Sequence, residues 1–213
     1  MKTRVVVLGG GGHARVVIDI LEQAREFDIA GFVSPDEQPD EIFGHRRLGG
    51  DDALEAILGS GVECAFVAIG DNRRRMDCIA TVKRRGFTLV NAVSPAAIVS
   101  RHAMLRAGIA VMPGAAVNAG STIGDGAIVN TNATVDHDCD IGACAHVAPG
   151  SSLAGCVQLG EGVFLGTGTS VIPGIRIGAW TTVGAGAAVI ADLPDRVVAA
   201  GVPATIRKSG GTV

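Results

Sequence analysis

Large aromatic side chains are nearly missing from this chain of 213 residues, which has no tyrosine, one tryptophan and six phenylalanines. A core built on flat rings is thereby excluded, and small and β-branched residues must do the packing. Long apolar runs are missing too, since no stretch approaches the ~20 residues of a membrane span. Charge of one sign is not in excess: 18 Lys and Arg face 21 Asp and Glu, for a net charge of -3. The basic residues form no stripe, so neither a nucleic acid nor a membrane is an expected partner. The five cysteines (Cys64, Cys78, Cys139, Cys144, Cys156) are an odd number without CxxC spacing. Neither a disulfide framework nor a thiolate zinc site follows from them, and Cys144 and Cys156 carry no assignable role. The apolar start, Val5 to Leu8, is too short for the ~7 to 15 residues of a signal-peptide core, so a reduced, cytoplasmic setting is expected.

What the chain has in plenty is glycine, 31 residues or about 15% against an ordinary ~7%. Its second half explains much of this excess. Every sixth residue from Val93 to Val189 is Val, Leu or Ile, at seventeen successive positions without an exception. Four residues after most of them stands a small side chain, such as Ala115, Ser121, Ala127, Ala133, Cys139 or Thr169. A period of six matches neither a 3.6-residue helix nor simple alternation, but it matches short strands separated by bends. Three hexads close one triangular coil of 18 residues, and successive coils pair strand on strand at ~4.8 Å. Gly124, Gly142, Gly160, Gly166, Gly178 and Gly184 each follow a ladder residue and are expected to turn the corners.

The first half alternates strand and helix patterns. Strands are expected at Val5–Leu8, Ile29–Val33 and Cys64–Ile69, with helices near His13–Arg25, Ala53–Leu58 and Arg73–Arg85. Such alternation predicts a small parallel sheet flanked by helices, a Rossmann-like α/β domain. Domain boundaries are expected at 1–90, 91–194 for the prism, and 195–213 for a tail. Gly9, Gly11 and Ala14 satisfy GxGxxA between a strand and a helix, where backbone amides hold a phosphate. Three readings are open: a turn needed for packing, a nicotinamide dinucleotide site, or a nucleotide-diphosphate site. A dinucleotide site also wants an acid at the end of the second strand, about 20 residues on, whereas Asp36 stands 27 residues past Gly9.

Chemistry concentrates between Asn130 and His146, which hold two of the five histidines. Counting by 18 puts Ala119 below His137 and Gly155 above it, so the imidazole is expected to have open space on both sides. A surface bend residue is the bland reading of His137. The functional one is a general base, because its ordinary pKa lies near neutrality and a neighbouring carboxylate favours the imidazolium it becomes. Asp138 is the expected partner, since a bend turns consecutive side chains together; Asp136 is the alternative. His146 falls between Ile128 and Phe164 and reads either as a structural histidine or as a donor to a bound carbonyl. A zinc site, as in carbonic anhydrases built on this kind of prism, would need His102 as a third ligand. His102 lies ~10 Å away along the axis, whereas zinc holds its ligands within ~2.1 Å.

Gly9-x-Gly11-Gly12-His13, Ala68-Ile-Gly-Asp-Asn72, Val135-Asp-His-Asp-Cys139, Ala145-His-Val-Ala-Pro-Gly-Ser151 and Gly201-Val-Pro-Ala204 occur in that order along nearly the whole chain. Together they resemble the bacterial nucleotide-sugar acetyltransferases, including those of bacillosamine and perosamine synthesis and the related sialic acid O-acetyltransferases. The resemblance implies a left-handed parallel β-helix and a homotrimer with active sites between subunits. It implies acetyl-CoA as co-substrate, a nucleotide-linked 4-amino-4,6-dideoxy sugar as acceptor, and no metal. His137 then looks like the catalytic base and Asp138 like its acidic partner. His146, Thr167 and Ala185 look like acetyl-CoA contacts. Asn130 looks like a residue near the sugar amine, while Gly11, Gly12, His13, Ser34, Gly70, Asp71 and Asn72 look like the nucleotide-sugar loops. Bacillosamine-type members carry two acids where Ser34 and Pro35 stand, which leaves the base open. O-acetylation of a sialic acid is the alternative reaction, and a zinc lyase the alternative of a different class.

Overall fold

The computed structural model describes residues 2–35 and 39–209, and the chain divides into two units, 1–95 and 96–213. Asp36 and the last four residues of the expected tail lie outside the described residues.

In the first unit, β1 (Thr3–Leu8), β2 (Phe27–Val33), β3 (Glu41–Ile42), β4 (His45–Gly49), β5 (Cys64–Val67) and β6 (Thr88–Leu89) form one sheet in the order β3-β4-β2-β1-β5-β6. All pairings are parallel except β3 with β4. Central β1 is covered on both faces, with Val5, Val6 and Val7 fully buried, as the unbroken apolar run requires. Helix α1 (Gly12–Ala24) buries Ala14, Val17, Ile18 and Leu21 at three- and four-residue spacing. It ends at Arg25, in the left-handed conformation (φ 60°), whose N–H bonds the Glu22 carbonyl. Helix α2 (Leu54–Gly59) follows a 3-10 turn, and α3 (Asn72–Arg84) is capped by the Asp71 carboxylate, which accepts from the Arg74 N–H at 2.7 Å.

The β3–β4 hairpin and β6 have no counterpart in the expected element order. The hairpin turns on Phe43 and Gly44, with φ of 50° and 84°. Two consecutive positive φ values make the tight turn suited to a two-residue loop, and Phe in its first position hides the signal that Asn-Gly would give. No helix among the described residues is long and apolar enough to cross a membrane.

The second unit is a left-handed parallel β-helix of two-residue strands. Each strand pairs with the one 18 residues on: Ala110–Val111 with Ile128–Val129, that with His146–Val147, and that with Phe164–Leu165. The same step stacks Ala116–Val117, Thr134–Val135 and Ser152–Leu153 on a second face, and Thr122–Ile123, Asp140–Ile141 and Gln158–Leu159 on a third. Ladder residues from Val111 to Val189 are buried, whereas Val99 and Leu105 in the first coil are only half-covered. Polar residues at the small inward positions are satisfied internally. Ser121, Ser151, Thr169 and Thr181 donate to the carbonyls of Asp136, Gly166, Gly166 and Pro194 at 2.6–2.9 Å. After Ala188–Val189 the stack is closed by Val197–Ala200, parallel to Thr182–Val183, and by Thr205–Ser209, which runs antiparallel to it.

The glycines expected to turn corners do something else. Positive φ falls three residues after every ladder position from Leu105 to Val183: at Gly108, Gly114, Gly120, Gly126, Gly150, Gly162, Gly168, Gly174 and Gly186, and at Asn132, Asp138, Cys144, Cys156 and Trp180. Gly124, Gly142, Gly160 and Gly166 are needed instead because the next coil's backbone passes where a side chain would stand. A Cβ on Gly142 would lie 2.5 Å from the Gly160 carbonyl carbon and 2.6 Å from the Glu161 nitrogen. Since backbone cannot rotate away, Gly142→Ala should destabilise the protein by about 1–3 kcal/mol, read from the midpoint of urea unfolding.

Candidate functional site

His137 and Asp138 occupy one bend of the β-helix, between strands Thr134–Val135 and Asp140–Ile141. Asp138 is in the left-handed conformation (φ 57°), which swings its carboxylate back beside the preceding side chain. Its Oδ2 lies 2.9 Å from His137 Nδ1, and both side chains are more than half exposed. Asp136 is used differently: its Oδ1 accepts from the Asn118 amide and from the His137 backbone N–H, each at 2.8 Å. Hydrogen bonding to Asp138, with the charge of Asp136 nearby, raises the His137 pKa above the usual histidine value. Among the described residues no hydrogen bond is made to its Nε2, the nitrogen left to take a proton.

The coil above shapes this residue. Cys156 N–H bonds the His137 carbonyl and Asp138 N–H bonds the Ala119 carbonyl, so Ala119, His137 and Gly155 stack in register. The space expected beside the imidazole is taken by the imidazole itself. A Cβ on Gly155 would stand 2.5 Å from both Cε1 and Nε2. Glycine at 155 therefore seats the ring and does not leave a hole for a ligand.

His146 is placed otherwise, on the strand face nine residues on, and is 8% exposed. Its ring meets Phe164 edge-on at 5.2 Å between centroids, and Asn130 Nδ2 lies 2.9 Å from its Nε2. Asn130 Oδ1 accepts from the Thr131 N–H at 2.8 Å, so both ends of this amide are engaged. Thr167 and Ala185 are exposed and share one edge with Thr131 and Pro149, each bend bonded to the next: Gly150 N–H to Thr131, Gly168 to Pro149 and Gly186 to Thr167. Six residues, a third of a coil, separate Thr131 on this edge from the bend at His137.

In the first unit, α1 starts at Gly12 with no side-chain cap among the described residues, and a Cβ on Gly11, Gly12 or Gly70 would meet none of them within 4 Å. Gly9, by contrast, is at φ 127°, with the Ala68 carbonyl oxygen 2.5 Å from where its Cβ would be, so it serves close packing. Asp71 caps α3, and Asn72 Oδ1 accepts from Arg75, a fully buried arginine that also donates to the Ile69 and Gly70 carbonyls at 2.9 Å. That arginine carries no sequence signal, and it is what stiffens the loop. Ser34 is buried beside Gly9 and Pro35 on the wall of a cavity of about 330 Å³, which Arg74, Asp77 and Cys78 also line.

His13, in the first turn of α1, has its Nε2 buried without a hydrogen-bond partner among the described residues. Burial, with the Arg75 charge, lowers its pKa to about 4. The unfolded chain therefore binds the proton more tightly, so the stability that neutral His13 allows is present above pH 6.5 and is lost as pH falls through 4. Between those two values the wild type should lose about 3 kcal/mol more than His13→Asn in urea unfolding.

His137, Asp138 and Cys156 each offer one donor atom, and the three lie within 4.8 Å of one another. His102 is not among them; it sits two coils below Asp138, through Gly120. Cys156 had no role in the sequence reading, although its distance of 18 residues from Asp138 gives the stacking by simple counting.

Residues 4–82 match the family model described as the PglD N-terminal domain. The whole chain is similar to PerB from Caulobacter crescentus, solved in complex with CoA and GDP-perosamine: identity is 50%, the TM-score 0.92, and coverage 96% of this chain and 97% of that one. A perosamine N-acetyltransferase from the same organism, with one histidine replaced by asparagine and the same two ligands bound, is 49% identical at equal coverage and a TM-score of 0.93. The acetyltransferase domain of PglB from Neisseria gonorrhoeae, in complex with acetyl coenzyme A, is 35% identical over 97% of this chain and 100% of that one, with a TM-score of 0.92. No curated protein matches the chain.

Proposed function

The chain belongs to the nucleotide-sugar acetyltransferase family, and from that premise we propose that it moves the acetyl group of acetyl-CoA onto the amine of a GDP-linked 4-amino-4,6-dideoxyhexose. The observation that carries the chemistry is the 2.9 Å hydrogen bond between His137 Nδ1 and Asp138, which leaves Nε2 to accept a proton. Asp138 fixes the tautomer and stabilises the imidazolium that forms.

The sugar amine, neutral when it reacts, attacks the thioester carbonyl while His137 Nε2 takes its proton. Collapse of the tetrahedral intermediate breaks the carbon–sulfur bond, and the imidazolium returns the proton to the departing CoA thiolate. An amine needs no covalent relay through the enzyme, so positioning and one base suffice. The donor's pantetheine arm runs along the edge at Thr167 and Ala185, past His146 and Asn130. Because that edge and the His137 bend stand on different sides of one prism, a donor touching both needs a second copy of the chain. A homotrimer with its sites between adjacent prisms meets this condition. In the first unit, the amides at Gly11 and Gly12 receive the diphosphate beside His13, and the cavity at Ser34 receives the base, with Ile69 and Arg74, which flank the Gly70–Asn72 loop, on its wall. Both substrates are cytoplasmic metabolites, and the enzyme works in that compartment.

The test is a panel of nucleotide-linked amino sugars and sialic acid offered with acetyl-CoA, with the acetylated product identified by mass spectrometry. Acetylation of the 4-amine of a GDP sugar is expected. Acetylation of hydroxyls alone, or of no nucleotide sugar, overturns the reading.

A further inference from the structure

We propose that His137, Asp138 and Cys156 form a binding site for a soft divalent cation of the zinc class, and that filling it switches the base off. The site is built by the repeat. Asp138 and Cys156 hold the same bend position one coil apart, both left-handed, with φ of 57° and 63°. Glycine stands at that position in the coils on either side, Gly120 and Gly174. Side chains placed there fold back over the coil before them: the Asp138 carboxylate lies against Gly120, the Trp180 ring against Gly162 and the Asn132 amide against Gly114. The same geometry carries the Cys156 thiol over Asp138, next to the imidazole of His137.

An imidazole nitrogen, a carboxylate oxygen and a thiol sulfur thus meet within 4.8 Å, on three exposed residues. Tetrahedral zinc, with bonds of ~2.0–2.3 Å, wants its donor atoms roughly 3.3–3.8 Å apart. Rotation of exposed side chains covers that difference. Three protein ligands leave the fourth position to water, and a thiolate with an imidazole selects zinc, cobalt(II) or cadmium over magnesium and calcium. On binding, the thiol gives up its proton to solvent and no electrons are transferred. Coordination through Nε2 takes the lone pair that would receive the amine's proton, and coordination through Nδ1 displaces the Asp138 hydrogen bond. The inhibitory effect rests on the assignment of His137 as base; the binding does not.

Two measurements separate these claims. Cobalt(II) titrated into the full chain without CoA should give a saturable thiolate-to-metal absorbance at one ion per chain, and Cys156→Ser should abolish it. In acetyl transfer, followed by the acetylated sugar because released CoA itself binds zinc, the Cys156→Ser protein should match the wild type without metal. Zinc at about ten times its Kd should then leave about a tenth of wild-type turnover, restored by chelation, and spare Cys156→Ser. Cobalt absorbance unchanged by Cys156→Ser, or equal zinc inhibition of both proteins, overturns the site. A cobalt–thiolate signal in a protein that transfers no acetyl group sustains the site and overturns the function instead.

Discussion

His137→Ala should lower kcat for acetyl transfer by about 10²–10⁴-fold and leave the KM for acetyl-CoA nearly unchanged, the signature of a base that acts only in the transition state. The reason lies in the bend. His137 is exposed and, among the described residues, its side chain hydrogen-bonds Asp138 alone. Removing it therefore takes away proton transfer without disturbing the coil, and near-native circular dichroism and thermal unfolding would separate this outcome from misfolding. Turnover within a few-fold of wild type would remove the base assignment. The pH profile gives a second check. Since Asp138 raises the His137 pKa, the neutral base is present above that raised value and activity is lost as pH falls through it. Asp138→Asn removes the cause, so the acid limb of kcat/KM should move to lower pH even as the rate declines. An unmoved limb would mean that another group sets it.

Gly155→Ala should cost about 10²-fold in kcat with little loss of stability, the scale expected when a catalytic group is displaced by about 1 Å. The new methyl would meet Cε1 and Nε2 of His137 at 2.5 Å. Gly155 has no positive φ and the obstructed atoms belong to an exposed ring that can turn, so the fold accommodates the change while the base is moved off its line. Gly142→Ala makes the opposite trade, because its methyl meets the backbone of Gly160 and Glu161. Two glycines in neighbouring coils should thus separate activity from stability. A Gly155→Ala enzyme with wild-type kcat would show that the seated imidazole is not the working position.

The β-helix was legible because an 18-residue register repeats without insertion, so a count along the chain gives every vertical neighbour. That count places Ala119 and Gly155 around His137, and Ile128 and Phe164 around His146, in agreement with the hydrogen-bond register. It does not say which way a side chain leans. Sequence spacing therefore left open whether Asp136 or Asp138 meets the imidazole, which depends on the left-handed backbone at Asp138. The glycines were misread for a related reason. Their abundance signals tight backbone, but corner turning and coil-to-coil contact demand the same residue at different phases of the hexad. In the first unit the main strands and helices followed from their apolar runs, while the β3–β4 hairpin, with Arg46 and Arg47 in its second strand and Phe43 in its turn, offers no alternating pattern. Asp71 caps α3 through the Arg74 backbone N–H, whereas the structural role of Asn72 depends on a buried arginine, Arg75, that composition does not reveal.

The closing strand of the β-helix has a consequence for how copies of the chain meet end to end. A parallel stack with identical steps presents, at its last coil, a row of backbone donors and acceptors that would template another chain's first coil, and nothing in the repeat limits that growth. Here the final parallel strand, Val197–Ala200, is covered by Thr205–Ser209 running the other way. Reversal of direction breaks the register that a further coil would have to continue, and Arg207 and Lys208 put two like charges on the outermost strand. On this face of the prism the hairpin thus ends the parallel ladder, and its outermost strand no longer offers the direction that another coil would continue.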